Sequence, residues 1–127
     1  FARLGDRVVT KPFMDFLEMQ SVMRDIDLNI VPLQNSVFTW SKSELKYFEA
    51  ALVETPTLAS TTPVFRKAIN PGVTGFLAES TEWLEALRDI DSLTHKDLES
   101  VGAAARAYVL DTYSPMGLRR TAGPMLR

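Results

Sequence analysis

The chain has 127 residues, of which 46% are hydrophobic and 24% charged, a composition typical of one globular domain rather than of a disordered segment. Its formal net charge of −2 argues against a nucleic-acid-binding protein, because such proteins usually carry a basic patch. The absence of cysteine excludes a disulfide framework and a thiol nucleophile, and no apolar run approaches the ~18 residues that span a bilayer.

Four short apolar runs alternate with stretches of helical periodicity along the chain. Each run has a proline or glycine close to one of its ends, and these residues commonly bound strands. Strands separated by helices indicate βαβ units, so we predict an α/β fold with a Rossmann-like parallel sheet of about four strands flanked by helices. The predicted strands are residues 7–10, 27–31, 57–60 and 75–78.

Two helices with apolar stripes are predicted in the first half of the chain. Asp15 and Glu18 form a capping pair at the start of the first helix. In the second helix, Leu45, Phe48 and Leu52 recur at helical spacing and predict the face that is turned toward the sheet.

Three further helices are predicted in the second half. Ser80 is the predicted N-cap of a helix over residues 83–90. Thr94 and Asp97 have the spacing of a capping box for a long helix that extends to about Asp111. A last short helix is predicted after Pro115.

The loop after the second predicted strand is the first candidate for function, because ligands of open α/β sheets bind beyond the carboxyl ends of strands. This loop runs from Pro32 to about Trp40, longer than the ~2–6 residues usual at such a position. Two interpretations of the following helix start stay open. Ser41 and Glu44 form a capping box, or the free backbone amides together with Lys42 bind a phosphate.

Glu49 is the second candidate, because it borders the stripe predicted to face the sheet. A partly buried carboxylate there needs a hydrogen-bond donor. The donor is either Lys46, three residues earlier, or a ligand that offers two hydroxyls, which one ionised carboxylate can accept together. His95 is the only histidine, and with no nucleophile patterned beside it we interpret it as a solvated residue at a helix start.

Four segments, taken in order, resemble a known family. They are DLNIVPL at residues 27–33, KSELKYFEAAL at 42–52, PTLAS at 56–60 and GVTGFL at 72–77. Together they resemble the C-terminal, nucleotide-sugar-binding half of the group 1 (family 4) glycosyltransferases of the GT-B fold. The resemblance covers about residues 7–115 and implies that residues 1–127 form a single partial domain, a truncated half of a GT-B C-terminal domain.

The resemblance also implies roles for the candidate residues. Glu49 takes the position of the second glutamate of an E-x7-E motif, which in the family holds the ribose hydroxyls of the nucleotide, whereas Ser41 replaces the first glutamate. Pro12 and Phe13 match the segment whose main chain meets the nucleotide base. The donor-binding segment implied around the diphosphate is Ser41, Lys42, Ser43, Glu44 and Leu45.

The activity implied by the resemblance is transfer of a sugar from a nucleotide-diphosphate-sugar donor to an acceptor, with retention of configuration and without a metal or other cofactor. The expected setting is cell-surface polysaccharide biosynthesis in the cytoplasm, and membrane association of a full-length protein stays open. The family's N-terminal acceptor domain, and the Arg and Lys that neutralise its diphosphate, have no counterpart here. We therefore expect a fragment of a longer protein that is inactive by itself, and no catalytic residue is assigned.

Two other classes of function were compared with this one. A non-catalytic, Rossmann-like interaction module is the alternative, and the loss of the first glutamate of the motif favours it. A phospho-acceptor domain does not fit, because the predicted strand ends carry no acidic cluster. If leading strands are missing, an unpaired strand edge is left, and from this we expect a homodimer.

Overall fold

Three parallel strands form the sheet of this computed structural model, which describes residues 5–33 and 45–113. They are Asn29–Val31 (β1), Thr57–Ser60 (β2) and Phe76–Ala78 (β3), paired in the order β1-β2-β3. In the register of the sheet, Leu58 in the centre lies opposite Ile30 on one side and Phe76 on the other. The predicted parallel sheet is confirmed, with three strands in place of about four.

The predicted strand at residues 7–10 is wrong. Gly5–Arg7 forms a single turn of 3-10 helix, and the residues after it belong to no strand. A strand is stable only through hydrogen bonds to a neighbour, and no described residue pairs with this segment. Val9 is 72% exposed, so the apolar residues that predicted this strand are not buried in a sheet.

Five α-helices connect and flank the strands in the described part of the chain. Helix α1 has the capping pair predicted for it, since an Asp15 carboxylate oxygen accepts from the Glu18 N–H at 2.9 Å. The helices are Phe16–Arg24 (α1), Leu45–Leu52 (α2), Pro63–Ala68 (α3), Trp83–Asp91 (α4) and His95–Tyr113 (α5).

The long helix α5 begins at the predicted capping box. The Thr94 hydroxyl accepts from the Asp97 N–H at 3.1 Å, and the Asp97 carboxylate accepts from the Thr94 N–H at 3.0 Å. By contrast, Ser80 does not cap α4, whose N-cap is Glu82 with no side-chain hydrogen bond. The helix predicted after Pro115 lies outside the described residues.

Helix α3 was not predicted. The Thr-Thr-Pro sequence after β2 was interpreted only as the end of a strand, but Thr62 is an N-cap whose hydroxyl accepts from the Phe65 N–H at 3.4 Å. Pro63 occupies the first turn, where its missing N–H costs nothing. A threonine followed by proline is therefore the signal that could have revealed this helix.

Two hydrophobic clusters cover opposite faces of the sheet. Alternate strand residues point to opposite faces, so Val31 and Ala59 belong to the first cluster and Leu58 and Ala78 to the second. The first cluster is completed by residues of α2, α3 and α5, among them Tyr47, Ala51, Phe65, Ala105 and Val109. The second is completed by α4 and the start of α5, through Trp83, Ala86, Ile90 and Leu98.

The buried face of α2 differs from the predicted one. Tyr47, Ala50 and Ala51 are fully buried, whereas Leu45 is 54% and Leu52 37% exposed. Helix α2 packs against α5 as well as against the sheet, and small side chains permit this close packing. The largest apolar residues of a helix therefore do not identify its buried face here.

Candidate functional site

The carboxyl ends of the three strands meet at one edge of the sheet and are joined there by hydrogen bonds. The Leu33 N–H donates to the Ser60 hydroxyl at 2.6 Å, which ties the chain leaving β1 to the end of β2. The Thr61 N–H donates to the Ala78 carbonyl at 3.2 Å, which ties the end of β2 to the end of β3. Parallel α/β sheets bind their ligands at this edge. Residues 34–44, which follow Leu33 in sequence, lie outside the described residues.

One ion pair also lies at this edge. Arg66 in α3 and Glu79 after β3 approach to 3.8 Å between a guanidinium nitrogen and a carboxylate oxygen. Their side chains are 66% and 51% exposed, so the pair contributes little to stability. Arg66 is not among the predicted site residues, because it lies on α3, a helix that was not predicted.

Glu49 lies near the middle of α2 and is half-buried. Among residues 5–33 and 45–113, its carboxylate has no hydrogen bond, and no ion pair joins it to Lys46. The simple alternative predicted for this residue, an ion pair three residues apart on the helix, is therefore absent from the described part of the chain. The role of Glu49 in holding a ligand stays a prediction.

Hydrogen bonds from three side chains hold the helix that carries Glu49. At its last residue, the Arg106 guanidinium of α5 donates to the Leu52 carbonyl at 3.3 Å. The side-chain amide of Asn29 donates to the Lys46 carbonyl at 3.4 Å and to the Thr57 hydroxyl at 3.1 Å, so it links the first turn of α2 to β1 and β2. The Tyr47 hydroxyl donates to the Thr74 carbonyl at 2.7 Å. Burial raises the pKa of Tyr47 above its ordinary value.

The turn that receives Tyr47 is itself held by hydrogen bonds. The Asn70 N–H donates to the Thr74 hydroxyl at 2.8 Å, and the Thr74 N–H donates back to the Asn70 carbonyl at 3.0 Å. Gly75 follows, at a point where a Cβ would lie 3.0 Å from a methyl of Ile69 and 3.2 Å from the Thr57 carbonyl oxygen. The GVTGFL segment therefore builds a fixed support beside the sheet.

Tyr47 and Thr74 were not predicted as site residues. A signal for Tyr47 was present in the sequence: with Ala50 and Ala51 it forms an i, i+3, i+4 set that marks a helix face. The larger side chains of Leu45, Phe48 and Leu52 predicted a different buried face of the helix. The bond to Thr74 joins residues 27 positions apart and could not be derived from local pattern.

The other predicted site residues are distributed as follows. Leu45 is the first residue of α2 and is 54% exposed. Pro12 and Phe13 lie in the segment just before the N-cap of α1, where Phe13 is 99% exposed, and they do not follow a strand as predicted. Four predicted residues lie outside the described part of the chain: Ser41, Lys42, Ser43 and Glu44.

A cavity of about 610 Å³ opens at the other edge of the sheet, near the start of β1. Leu28, Leu87 and Leu98 contribute apolar walls, and His95 lies at its border. This cavity is remote from the carboxyl ends of the strands, so we do not assign the site to it. His95 is exposed and contacts Glu99 at 3.0 Å, in agreement with its interpretation as a surface residue.

The described residues contain neither a cluster of metal-binding side chains nor a membrane-spanning helix. No group of three or more His, Cys, Asp or Glu side chains in residues 5–33 and 45–113 could hold a metal ion. Over the same ranges, no helix has the length and apolar character needed to cross a membrane.

The fold is similar to that of the C-terminal domain of a group 1 family glycosyl transferase, LpcC from Francisella tularensis, known from a crystal structure. The TM-score is 0.70 and the sequence identity 19%, and the match covers 90% of this chain. Neither a protein-family model nor a curated protein matches the chain.

This likeness confirms the predicted fold, an α/β chain with the architecture of part of a GT-B C-terminal domain. The match spans 57% of the LpcC structure, so this chain corresponds to just over half of that domain. At 19% identity the comparison establishes architecture, and the activity has to be argued from the residues.

Proposed function

We propose that the chain is the donor-nucleotide-binding part of a glycosyltransferase that transfers a sugar from a nucleotide-diphosphate-sugar to an acceptor. The observation that carries the proposal is the agreement between fold and motif order. Where the structure describes them, the segments that resemble group 1 glycosyltransferases fall on β1, α2, β2 and the turn that leads into β3, and the same chain has the fold of part of the LpcC C-terminal domain.

In this proposal Glu49 accepts hydrogen bonds from the two ribose hydroxyls. The absence of a described partner for its half-buried carboxylate supports this role, because a partly desolvated carboxylate is stabilised by donors that a ligand can provide. The amides of residues 41–45 bind the diphosphate, and Pro12 and Phe13 lie beside the base. Nucleotide recognition then requires no metal and no other cofactor.

Transfer itself needs parts that this chain does not contribute. An acceptor domain has to complete the cleft, and cationic groups have to stabilise the leaving diphosphate. We therefore propose that the isolated chain binds nucleotide without turnover, and that the whole protein acts with retention in cytoplasmic cell-surface polysaccharide synthesis. A sugar-nucleotide assay with the isolated chain tests the first point, and turnover would contradict it.

Isothermal titration calorimetry with nucleotides tests the proposed binding. UDP and GDP are titrated into the wild-type chain, the Glu49→Gln variant and the control variant Glu85→Gln, which removes an exposed carboxylate from α4. We expect one of the nucleotides to bind, and Glu49→Gln to weaken it about tenfold or more, as for a lost charge-assisted hydrogen bond. If Glu49→Gln and Glu85→Gln bind the nucleotide with equal affinity, Glu49 does not take part in binding. If the wild type binds neither nucleotide, the proposal is contradicted.

A non-catalytic interaction module is the second candidate, and one observation favours it. Ser41 stands where the family motif has its first glutamate, a residue tied to the donor sugar in some members. For such a module we expect neither nucleotide to bind, so the same titration distinguishes the two functions.

We also propose that the chain forms a homodimer through the edge of its sheet. Within the described residues β1 pairs only with β2, and Ile30 on β1 is 51% exposed. An exposed apolar strand edge favours pairing with another chain. Analytical ultracentrifugation of the wild type and of Ile30→Lys should show a dimer that the lysine weakens, and a wild-type monomer at high concentration would contradict the proposal.

A further inference from the structure

We infer that Tyr47 is a positioning residue for nucleotide binding: its hydroxyl fixes α2 so that Glu49 is held in place for the ribose. The inference rests on the proposed function, since it presupposes that Glu49 accepts from the ribose hydroxyls. It assigns to Tyr47 a role that acts through Glu49 and not through contact with the nucleotide.

The geometry at Tyr47 restrains the helix in two ways. The ring is fully buried in the first cluster, between the sheet and α5, which limits rotation of α2 about its axis. The hydroxyl donates to the Thr74 carbonyl at 2.7 Å, which limits sliding of α2 along the sheet. Glu49 is two residues further along the same helix, so its backbone follows any movement of Tyr47.

The acceptor of this hydrogen bond belongs to a rigid element. Thr74 is buried and exchanges two hydrogen bonds with Asn70, and Gly75 beside it lies against β2. This turn does not move with α2, so the hydrogen bond from Tyr47 fixes the position of α2 relative to the sheet.

Asn29 holds the same helix from the other side. Its amide bridges the Thr57 hydroxyl and the Lys46 carbonyl, in the turn of α2 just before Glu49. The bond to Lys46, at 3.4 Å, is longer than the 2.7 Å bond of Tyr47. The bond from Arg106 to the Leu52 carbonyl, at the far end of α2, is also longer, at 3.3 Å. Hydrogen bonds weaken with distance, so the bond from Tyr47 is the strongest of these restraints.

Ribose selectivity is the measurement that separates positioning from general stability. A variant that is merely less stable binds a nucleotide and its 2′,3′-dideoxy form more weakly by the same factor. A variant that displaces Glu49 loses affinity for the ribose form only. We therefore measure the ratio of the two dissociation constants, using UDP or GDP, whichever binds the wild type more tightly, and its dideoxy form.

The variants are Tyr47→Phe, which removes only the hydroxyl, and Asn29→Ala, which removes the second restraint. Tyr108→Phe is the matched control, because Tyr108 packs at the border of the same cluster and lies outside α2. Thermal unfolding of each variant verifies that it is folded at the temperature of the titration.

For the wild type and Tyr108→Phe we expect the dideoxy form to bind about tenfold more weakly. Tyr47→Phe should reduce that ratio to about threefold or less, and Asn29→Ala should reduce it by a smaller factor. If Tyr47→Phe keeps the wild-type ratio, the inference is overturned and the proposed function stands. If the wild type binds neither UDP nor GDP, the proposed function fails and the inference fails with it.

Discussion

Gly102 of α5 lies directly against the main-chain carbonyl of Glu54, the second residue after α2. A Cβ atom on Gly102 would collide with that carbonyl oxygen. Gly102 is buried, and Ala105 one turn later belongs to the cluster that also contains Ala51 of α2. The two helices can therefore approach this closely only because glycine occupies position 102.

The Gly102→Ala substitution should destabilise the protein by about 2 kcal/mol, because the main chain of Glu54 cannot move as a side chain would. This value of about 2 kcal/mol is the net loss: the cost of the collision exceeds the roughly 1 kcal/mol by which alanine stabilises a helix relative to glycine. Urea unfolding measures the difference, with Ser100→Ala as control, since Ser100 lies two residues earlier on α5 and is exposed. A Gly102→Ala variant more stable than the wild type would contradict the close contact.

Glu54→Gly should stabilise the protein by about 0.5–1 kcal/mol. Glu54 has a φ of 62°, a left-handed conformation that glycine adopts without strain. It closes α2 in a Schellman arrangement, with its N–H on the Ala51 carbonyl at 3.0 Å and the Thr55 N–H on the Ala50 carbonyl at 2.9 Å.

Thermal unfolding of Glu54→Gly should show a higher midpoint than the wild type. Glu54→Ala is the comparison that isolates the backbone effect, since it removes the carboxylate and keeps the Cβ. Equal midpoints for the glycine and alanine variants would mean that the strain at position 54 is not released.

Thr94→Ala should cost about 1 kcal/mol, because it removes the hydroxyl that accepts from the Asp97 N–H at the start of α5. Ser80→Ala is the matched control. Ser80 lies ahead of α4 but makes no cap there, so its substitution should change stability by less than about 0.5 kcal/mol. Denaturant unfolding of the two variants compares them, and equal losses would contradict the assignment of the caps.

Tyr47→Phe should lower the unfolding free energy by about 1–2 kcal/mol at neutral pH, since the buried Thr74 carbonyl loses its donor. The difference should shrink in alkaline solution. Burial raises the pKa of Tyr47 above its ordinary value of 10.0, so the unfolded chain releases this proton at lower pH than the folded protein.

The stabilisation linked to Tyr47 is therefore complete below about pH 10 and falls as the pH rises through the folded-state pKa. Urea unfolding of the wild type and Tyr47→Phe between pH 8 and 11 measures this convergence. Parallel curves over the whole range would show that Tyr47 does not stay protonated in the folded protein.

Local signals were sufficient where one segment determines its own structure. The strand predicted at residues 57–60 matches β2, and the capping box at Thr94 and Asp97 begins α5 as predicted. The hydrogen bonds of the capping box join residues three positions apart. The strand pairs with distant segments, but its bounds are marked locally by an apolar run that follows Pro56. Thr62 and Pro63 carry a comparable local signal for α3, although only the end of a strand was predicted there.

The candidate site was predicted less completely, because its geometry depends on contacts distant in sequence. The amino-acid pattern alone was enough to predict that strands and helices alternate and that Glu49 is an unusual carboxylate on α2, since periodicity and residue type are local properties. The inward position of Tyr47, in place of Leu45 or Leu52, follows from packing in the folded protein. The reason is that α2 must fit against α5 and the turn at Thr74 together, and the space left between them selects which side chains are buried.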